Sequence, residues 1–293
     1  MMSNNLKHKP VVGCMRWGVW GENFNTKQYE QIIDQCIGIE LNTFDHADIY
    51  GHYTTEADFG NALKGNSSLR SKINIITKCG INMLTPNRPQ HAIKSYDTSE
   101  KHIIKSVEQS LTNFHTDYID TLLIHRPDIL INVQEVASVI TSLKQSGKIK
   151  EFGVSNFTTS QVSLLNKYIP IEYHQVEISL TNINSFEDGV LDQCQMENIK
   201  AQSWSPMGNG LFNEQNERNL RILFVAEELA KVYNCTVSQI ILAFLYAHPS
   251  NIVPVIGTSK FDRIIEAKNS MEINLNREDF YKLWSASTGK EVA

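Results

Sequence analysis

Along the chain, two textures of apolar residues alternate. Short runs rich in β-branched residues are followed by longer stretches whose apolar positions recur every three or four residues. The first run is PVVGCM, Pro10–Met15. After a polar loop, TKQYEQIIDQCI places Tyr29, Ile32, Ile33, Cys36 and Ile37 on one helical face. Thr26 is the expected N-cap of that helix and Gly38 its stop. The pairing then recurs. NTFD precedes EADFGNALK, INIITK precedes SEKHIIKSVEQSLTNF, and YIDTLLIH precedes VQEVASVITSLKQSG. IKEFGVS precedes TSQVSLLNKY, and IEYHQVE precedes GVLDQCQMEN. IKAQSW leads to two helical stretches, Arg221–Tyr233 and Ser238–Ala247, and NIVPVIG leads to KFDRIIEAKNSM. Strands alternating with helices predict βαβ units around a parallel sheet. Eight such units predict an α/β chain closed as a (β/α)8 TIM barrel, with its active site at the C-terminal rim of the strands. The G-x-G-x-x-G turn of a doubly wound dinucleotide-binding sheet does not follow the first run. No stretch reads as a linker, so residues 1–293 are expected to form a single domain.

Composition narrows the class. A hydrophobic share of 41% supports a large core. The net charge of −5 is spread over both signs without a basic block, so nucleic acid is not an expected partner. The start, MMSNNLKHKP, has no apolar signal core, and the longest apolar run, Ile240–Ala247, is far short of the roughly 20 residues that span a bilayer. Five widely spaced cysteines suggest reduced thiols, with neither a disulfide frame nor a zinc site. The expectation is a cytoplasmic protein that does not engage a membrane.

In a barrel of this kind the residues that end the strands converge on one rim. Asp45 ends the second run, Lys78 the third and His125 the fourth; Ser155 and Asn156 end the fifth, Gln175 lies in the sixth, and Trp204 ends the seventh. Singly, each has an ordinary structural use as a cap, a solvated cation or a hydrogen-bonded core residue. Together they form a candidate site, which Tyr50, five residues past Asp45, completes. A phenol of ordinary pKa near 10 is a weak acid at neutral pH. A lysine at about 4 Å, with an effective dielectric near 20, is worth up to about 4 kcal/mol, or roughly three pKa units of acidification. Asp45 would hold Lys78 charged, and His125 would orient a substrate carbonyl. Such a set suits proton delivery to a developing alkoxide.

These residues resemble the aldo-keto reductase superfamily, nicotinamide-dependent (β/α)8 barrels that reduce carbonyls. Its D-x-A-x-x-Y-G signature is present as Asp45-His46-Ala47-Asp48-Ile49-Tyr50-Gly51. The stretch TFDHADIYGHYTTEADFGNAL is similar to bacterial YdhF-type oxidoreductases. The resemblance implies NADPH-dependent reduction of an aldehyde or ketone to an alcohol, with Tyr50 as general acid tuned by Lys78 and Asp45, and His125 positioning the substrate. It implies that Ser155, Asn156 and Gln175 hold the nicotinamide carboxamide, and that Trp204 stacks on the ring where many members have tyrosine. Ser205 and Leu211 fall in the loop that lines the pyrophosphate. Met15 and Arg16 fall at the end of the first strand, near the cofactor. Lys260 and Arg263 lie at the first turn of a helix expected from about Ser259 or Lys260, where the helix dipole disfavours cations and a bound anion would explain them. The resemblance puts the adenosine 2′-phosphate there, which favours NADPH over NADH. Thr258 and Glu266 match further cofactor contacts, whereas Gly257 and Ala267 depart from the common lysine and asparagine.

Trp17, Trp20, Tyr53 and Met83 are candidate apolar walls of the substrate pocket. HRPD at 125–128 and DFG at 58–60 stand in the wrong order for a protein kinase. His46, Asp48 and His52 suggest a metal site, but they share one loop without a supporting second layer, so no metal is expected. The expected partner is a small carbonyl compound, and the expected state is a monomer. The alternative is an NADPH-binding sensor or partner subunit with slow turnover.

Overall fold

The computed structural model describes residues 7–64 and 66–293. Among them, eight parallel strands close a barrel: β1 (Val11–Gly13), β2 (Thr43–Asp45), β3 (Asn74–Cys79), β4 (Ile119–Ile124), β5 (Ile149–Ser155), β6 (Tyr173–Glu177), β7 (Lys200–Trp204) and β8 (Val253–Ile256). Neighbours in sequence are neighbours in the sheet, and β8 returns to β1. The eight apolar runs of the sequence are these eight strands. β4 is buried along its whole length, as a strand covered on both faces must be.

Register decides which side chains share a face, because paired residues of adjacent strands point the same way. Lys78 pairs with Leu123, Leu123 with Gly153, and Ser155 with Gln175. Gly153 is required by its neighbours. A Cβ there would collide with the Tyr173 carbonyl and lie 2.7 Å from a Leu123 methyl.

Helices follow the strands largely where periodicity places them. The helix after β1, Thr26–Gly38, is capped by Asn25 rather than Thr26. The Asn25 side chain accepts from the Gln28 backbone, and the Gln28 side chain accepts in return from the Asn25 backbone. This capping box selects Asn25 because its partner must stand three residues on. Gly38 is the last helical residue rather than the stop, and Ile39 is the C-cap. The two helices after β7 run Glu217–Val232 and Val237–Tyr246, with Asn216 and Thr236 as caps. Several elements lie outside the sequence-based assignment: a small antiparallel pair, Ile81–Asn82 with Ser95–Tyr96, a final helix, Arg277–Thr288, and short helical turns at Tyr50–Tyr53, Ser67–Arg70 and Asn184–Phe186. Among the described residues no single helix is long and apolar enough to cross a membrane.

The chain packs as two compact units. One comprises Val11–Gln175 with Gly257–Phe261; the other comprises Val176–Ile256 and Asp262–Ala293, with the described residues through Pro10. In the first, the starts of β3, β4 and β5 are tied by Asp120. Its carboxylate accepts from Arg70 at 2.8 Å, from Lys150 at 2.8 Å and from the Ile75 backbone at 2.9 Å. The Tyr118 ring lies 3.9 Å from the Arg70 guanidinium and 3.8 Å from the Lys150 ammonium. In the second unit, Lys7 donates to the Met271 and Ile273 carbonyls at 2.8 Å each.

Candidate active site

The site grows from the ends of β2, β3 and β4. Lys78 extends from β3 and is 1% exposed. Its ammonium makes three contacts: 2.7 Å to Asp45 Oδ2, 2.7 Å to the His46 carbonyl and 3.2 Å to the Tyr50 hydroxyl. A buried ammonium must be paired to be tolerable, and all three of its donor positions are used. Burial opposes its charge, but Asp45 and Tyr50 together hold the Lys78 pKa above its ordinary value.

Tyr50 opens a short helical turn, Tyr50–Tyr53, that bends back on itself. Gly51, His52 and Tyr53 have φ of 58°, 59° and 70°. This left-handed region is costly for residues with a Cβ. Gly51 has a second reason to be glycine, since a Cβ there would lie 2.9 Å from Thr54 Oγ1 and closer still to Thr55 Oγ1. The turn sets the Tyr50 ring 6.1 Å from the His125 ring, edge to face, and 6.1 Å from Trp20.

The electrostatics correct one expectation. Lys78 does pull the Tyr50 phenol towards acidity, but burial pushes it up more, and the pKa ends above its ordinary value. A charge-pair argument from sequence has no access to desolvation, which here is the larger effect. Tyr50 therefore stays protonated at neutral pH, with Lys78 donating to its oxygen and its own hydrogen left to give. Burial, followed by the charges of Lys78, Arg126 and Lys94, holds the His125 imidazole well below its ordinary pKa and so neutral. Its Nδ1 is buried without a hydrogen-bond partner.

Beside this set lies a group of amides and a hydroxyl. The Asn156 side chain donates to Ser155 Oγ at 2.7 Å and to the His125 carbonyl at 3.3 Å, and its backbone N–H donates to the Gln175 carbonyl at 3.0 Å. Asn156 sits at φ 62°, a left-handed position that asparagine tolerates well. Gln175 Nε2 donates to Asp45 Oδ1 at 2.9 Å. Ser155, Asn156 and Gln175 thus supply the mixed donors and acceptors that a carboxamide needs, next to Asp45, Lys78 and Tyr50.

The remaining candidates divide. Met15 and Arg16 are exposed just past β1. Trp20 lies against Tyr50 and His52. Tyr53 and Met83 are joined, the Met83 N–H donating to the Tyr53 hydroxyl at 3.0 Å. Trp17 is a correction. It is fully buried, packed among Phe24, Tyr29, Phe44 and Phe59, so it belongs to the core and offers no wall to a substrate. Its indole donates to the Thr258 carbonyl at 3.4 Å. Lys260 is exposed and precedes the helix Phe261–Asn269 instead of lying in its first turn. In the second unit Trp204 is half-buried at the end of β7, Ser205 is exposed at φ 50°, and Leu211 is buried. Arg263 is exposed, and Glu266 accepts a hydrogen bond from Thr236. A cavity of about 440 Å³ in that unit, among Lys231, Cys235 and Gln239, has no set of paired groups comparable to that around Lys78. His46, Asp48 and His52 part company: His46 is wedged against Phe59 and Phe114, Asp48 is buried, and His52 meets Trp20. The His46 carbonyl, a ligand of the Lys78 ammonium, is a site group that no side-chain reading could find.

Residues 11–287 match the Aldo/keto reductase family. The chain belongs to that family. Membership makes it an NADP-dependent oxidoreductase acting on carbonyl and alcohol groups. It is 40% identical over 287 residues to the oxidoreductase YdhF of Escherichia coli (strain K12), covering 96% of this chain and 94% of that one. It is 37% identical over 295 residues to a 6-dehydroglucose reductase of Agrobacterium fabrum, covering 98% of each. A solved structure of the thermostable aldo-keto reductase Tm1743, in complex with the inhibitor epalrestat, superposes with a TM-score of 0.78 at 26% identity, covering 94% of each chain.

Proposed function

We propose that this family member reduces an aldehyde or ketone to an alcohol, with Tyr50 as the general acid. The observation that carries the reading is the convergence of Asp45, Tyr50, Lys78 and His125, with Lys78 Nζ 3.2 Å from the phenol oxygen and 2.7 Å from Asp45. NADPH, when bound, supplies the hydride. Tyr50 holds a proton on its oxygen and releases it to the carbonyl oxygen as negative charge builds there. Lys78 donates to the same phenol oxygen and stabilises the phenolate left behind. Asp45 keeps Lys78 charged and aimed. Neutral His125 orients the carbonyl by donating from its ring.

For the cofactor, Ser155, Asn156 and Gln175 would hold the carboxamide, Trp204 would stack on the ring, and Met15, Arg16, Ser205 and Leu211 would line the rest of its path, as the family resemblance implies. Lys260 and Arg263, with Thr258 and Glu266, would take the adenosine end, and the two exposed cations favour a 2′-phosphate. The four residues around the carbonyl come from one chain and one compact unit, so the reaction needs no second subunit, and we take the whole chain as one functional domain acting as a monomer. Five unpaired thiols suit a reducing compartment such as the cytoplasm.

The test is NADPH oxidation by the purified chain over a panel of aldehydes and ketones, including the 6-dehydroglucose named for the Agrobacterium relative. Consumption of NADPH with matching alcohol is the expected result. Tight NADPH binding with no consumption across the panel would replace this reading with a sensor.

A further inference from the structure

The turn that begins at Tyr50 is held in a conformation its residues disfavour. Gly51, His52 and Tyr53 are left-handed in succession, whereas residues with a Cβ visit that region singly. Such backbone persists only where its surroundings over-determine it, and it gathers at functional sites. From within, the turn closes on three bonds. The Tyr53 N–H donates to the Ile49 carbonyl at 3.3 Å, the Thr54 N–H to the Tyr50 carbonyl at 3.2 Å and the Thr54 hydroxyl to the Gly51 carbonyl at 2.8 Å.

The outer ties come from the segment that follows β3. The Tyr53 hydroxyl donates to the Ile81 carbonyl at 3.0 Å and accepts from the Met83 N–H at 3.0 Å. The Asn87 amide donates to the His52 carbonyl at 2.8 Å. Arg88 covers the Tyr53 ring at 4.5 Å while it donates to the Asn87 carbonyl at 3.1 Å. Ile81 is itself a fixed point, buried and paired with Tyr96. These ties close a circuit. Tyr53 stands three residues past Tyr50, and Ile81 stands three residues past Lys78. The bond between Tyr53 and Ile81 therefore joins, from the far side, the two segments whose near side is the 3.2 Å contact of Lys78 with the Tyr50 hydroxyl.

We propose that Tyr53 is a positioning residue for proton transfer: its hydroxyl pins the left-handed turn to the segment after Lys78 and so sets the Tyr50 oxygen against the Lys78 ammonium. A phenol suits the task because one oxygen both donates to a carbonyl and accepts from an N–H. With its only hydrogen given to Ile81, that hydroxyl has none for a substrate. Without the pin the turn can relax towards ordinary backbone and carry Tyr50 away from Lys78. A displacement of about 1 Å at a reacting group costs on the order of a hundredfold in rate. The assignment rests on the reading of Tyr50 as the general acid.

Tyr53→Phe tests it, since the ring stays under Arg88 and both hydroxyl bonds are lost. The variant is compared with the parent, with Asn87→Ala, which cuts the tie to His52 at an exposed position, and with Tyr50→Phe. Rates are counted per NADPH-binding site, so unfolded chain does not enter. In Tyr53→Phe, kcat for carbonyl reduction should fall about tenfold to a hundredfold while KM for NADPH stays within about twofold. The solvent deuterium isotope effect on kcat should exceed the parent's, because proton delivery then limits more of the rate. A smaller folded fraction would leave that isotope effect where it was. Asn87→Ala should move kcat and the isotope effect in the same directions, with kcat down by about threefold or more, and it decides the matter if Tyr53→Phe does not fold. Parental kcat, a fall in kcat at the parental isotope effect, or a rise in the aldehyde KM alone overturns the proposal while Tyr50→Phe still fails to turn over. If Tyr50→Phe turns over at the parental rate, the reading of Tyr50 as the acid falls, and this assignment with it.

Discussion

Gln175 donates to one oxygen of Asp45 at 2.9 Å, while Lys78 donates to the other at 2.7 Å. A single buried carboxylate therefore joins the residue proposed for the nicotinamide carboxamide to the lysine beside the phenol. Gln175→Met keeps the length and removes the donor, leaving a buried carboxylate oxygen short of a partner. An unmet buried acceptor costs roughly 1–3 kcal/mol. Both kcat and KM for NADPH should worsen, each by about tenfold. A change in KM alone would confine Gln175 to cofactor binding.

Tyr50→Phe removes the transferable proton and keeps the ring against Trp20 and His125. Turnover should fall by about 10²–10⁴, the usual worth of a positioned acid. NADPH affinity, followed by quenching of tryptophan fluorescence, should stay within about twofold. Near-parental turnover would remove Tyr50 from its role.

Carbonyl reduction should be flat between about pH 6 and 8. Burial raises the Tyr50 pKa, so its proton is retained throughout that range, and the His125 pKa is depressed, so the imidazole stays neutral. Rate profiles at saturating substrate check this. An inflection near the ordinary histidine pKa, abolished by His125→Asn, would contradict a neutral His125.

Lys260→Ala together with Arg263→Ala should raise KM for NADPH at least about tenfold and KM for NADH by less than about twofold. Both side chains are exposed, so the double variant should fold. Equal losses with the two cofactors would end the 2′-phosphate assignment.

Acid should unfold the chain partly through His46. Its ring is fully buried, edge-on to Phe59 at 4.5 Å, and burial, then the Lys78 charge, lowers its pKa to about 3. Between its ordinary value and that lowered one, the unfolded chain binds a proton that the folded chain refuses. The stability this histidine allows is thus complete above about pH 6.5 and falls as the pH drops. Near pH 4.5 the loss amounts to about 3 kcal/mol. His46→Leu should therefore gain on the parent as pH falls from 7 to 4.5, read from urea midpoints at each pH. A constant gap would show that His46 does not titrate on unfolding.

The barrel and the four residues at its centre could be read from sequence because each rests on a local signal. Apolar runs mark strands buried on both faces, and Asp45, Lys78 and His125 end three of them. What escaped depends on the completed fold. Trp17 stands in a polar loop, and only the assembled fold brings Tyr29, Phe44 and Phe59 together with Phe24 to bury it. The rise in the Tyr50 pKa comes from desolvation, a property of everything around the ring. The Asn25 cap is different in kind, for its Gln28 partner was visible at the required spacing, whereas Thr26 has Tyr29 there. The final helix also announces itself, with Asn276 as cap and Glu278 and Asp279 in its first turn.

The tie made by Asp120, Arg70 and Lys150 joins β3, β4 and β5 at their starts, whereas Lys78, Ser155 and His125 stand at or just past the ends of those same strands. Bracing and chemistry thus occupy opposite ends of one set of strands. Segments such as 80–98 and 126–132 can consequently be exchanged for those of other reductases with His125 and the ties to the Tyr50 turn kept and the brace untouched, which makes this chain a chassis for retargeted biocatalysts.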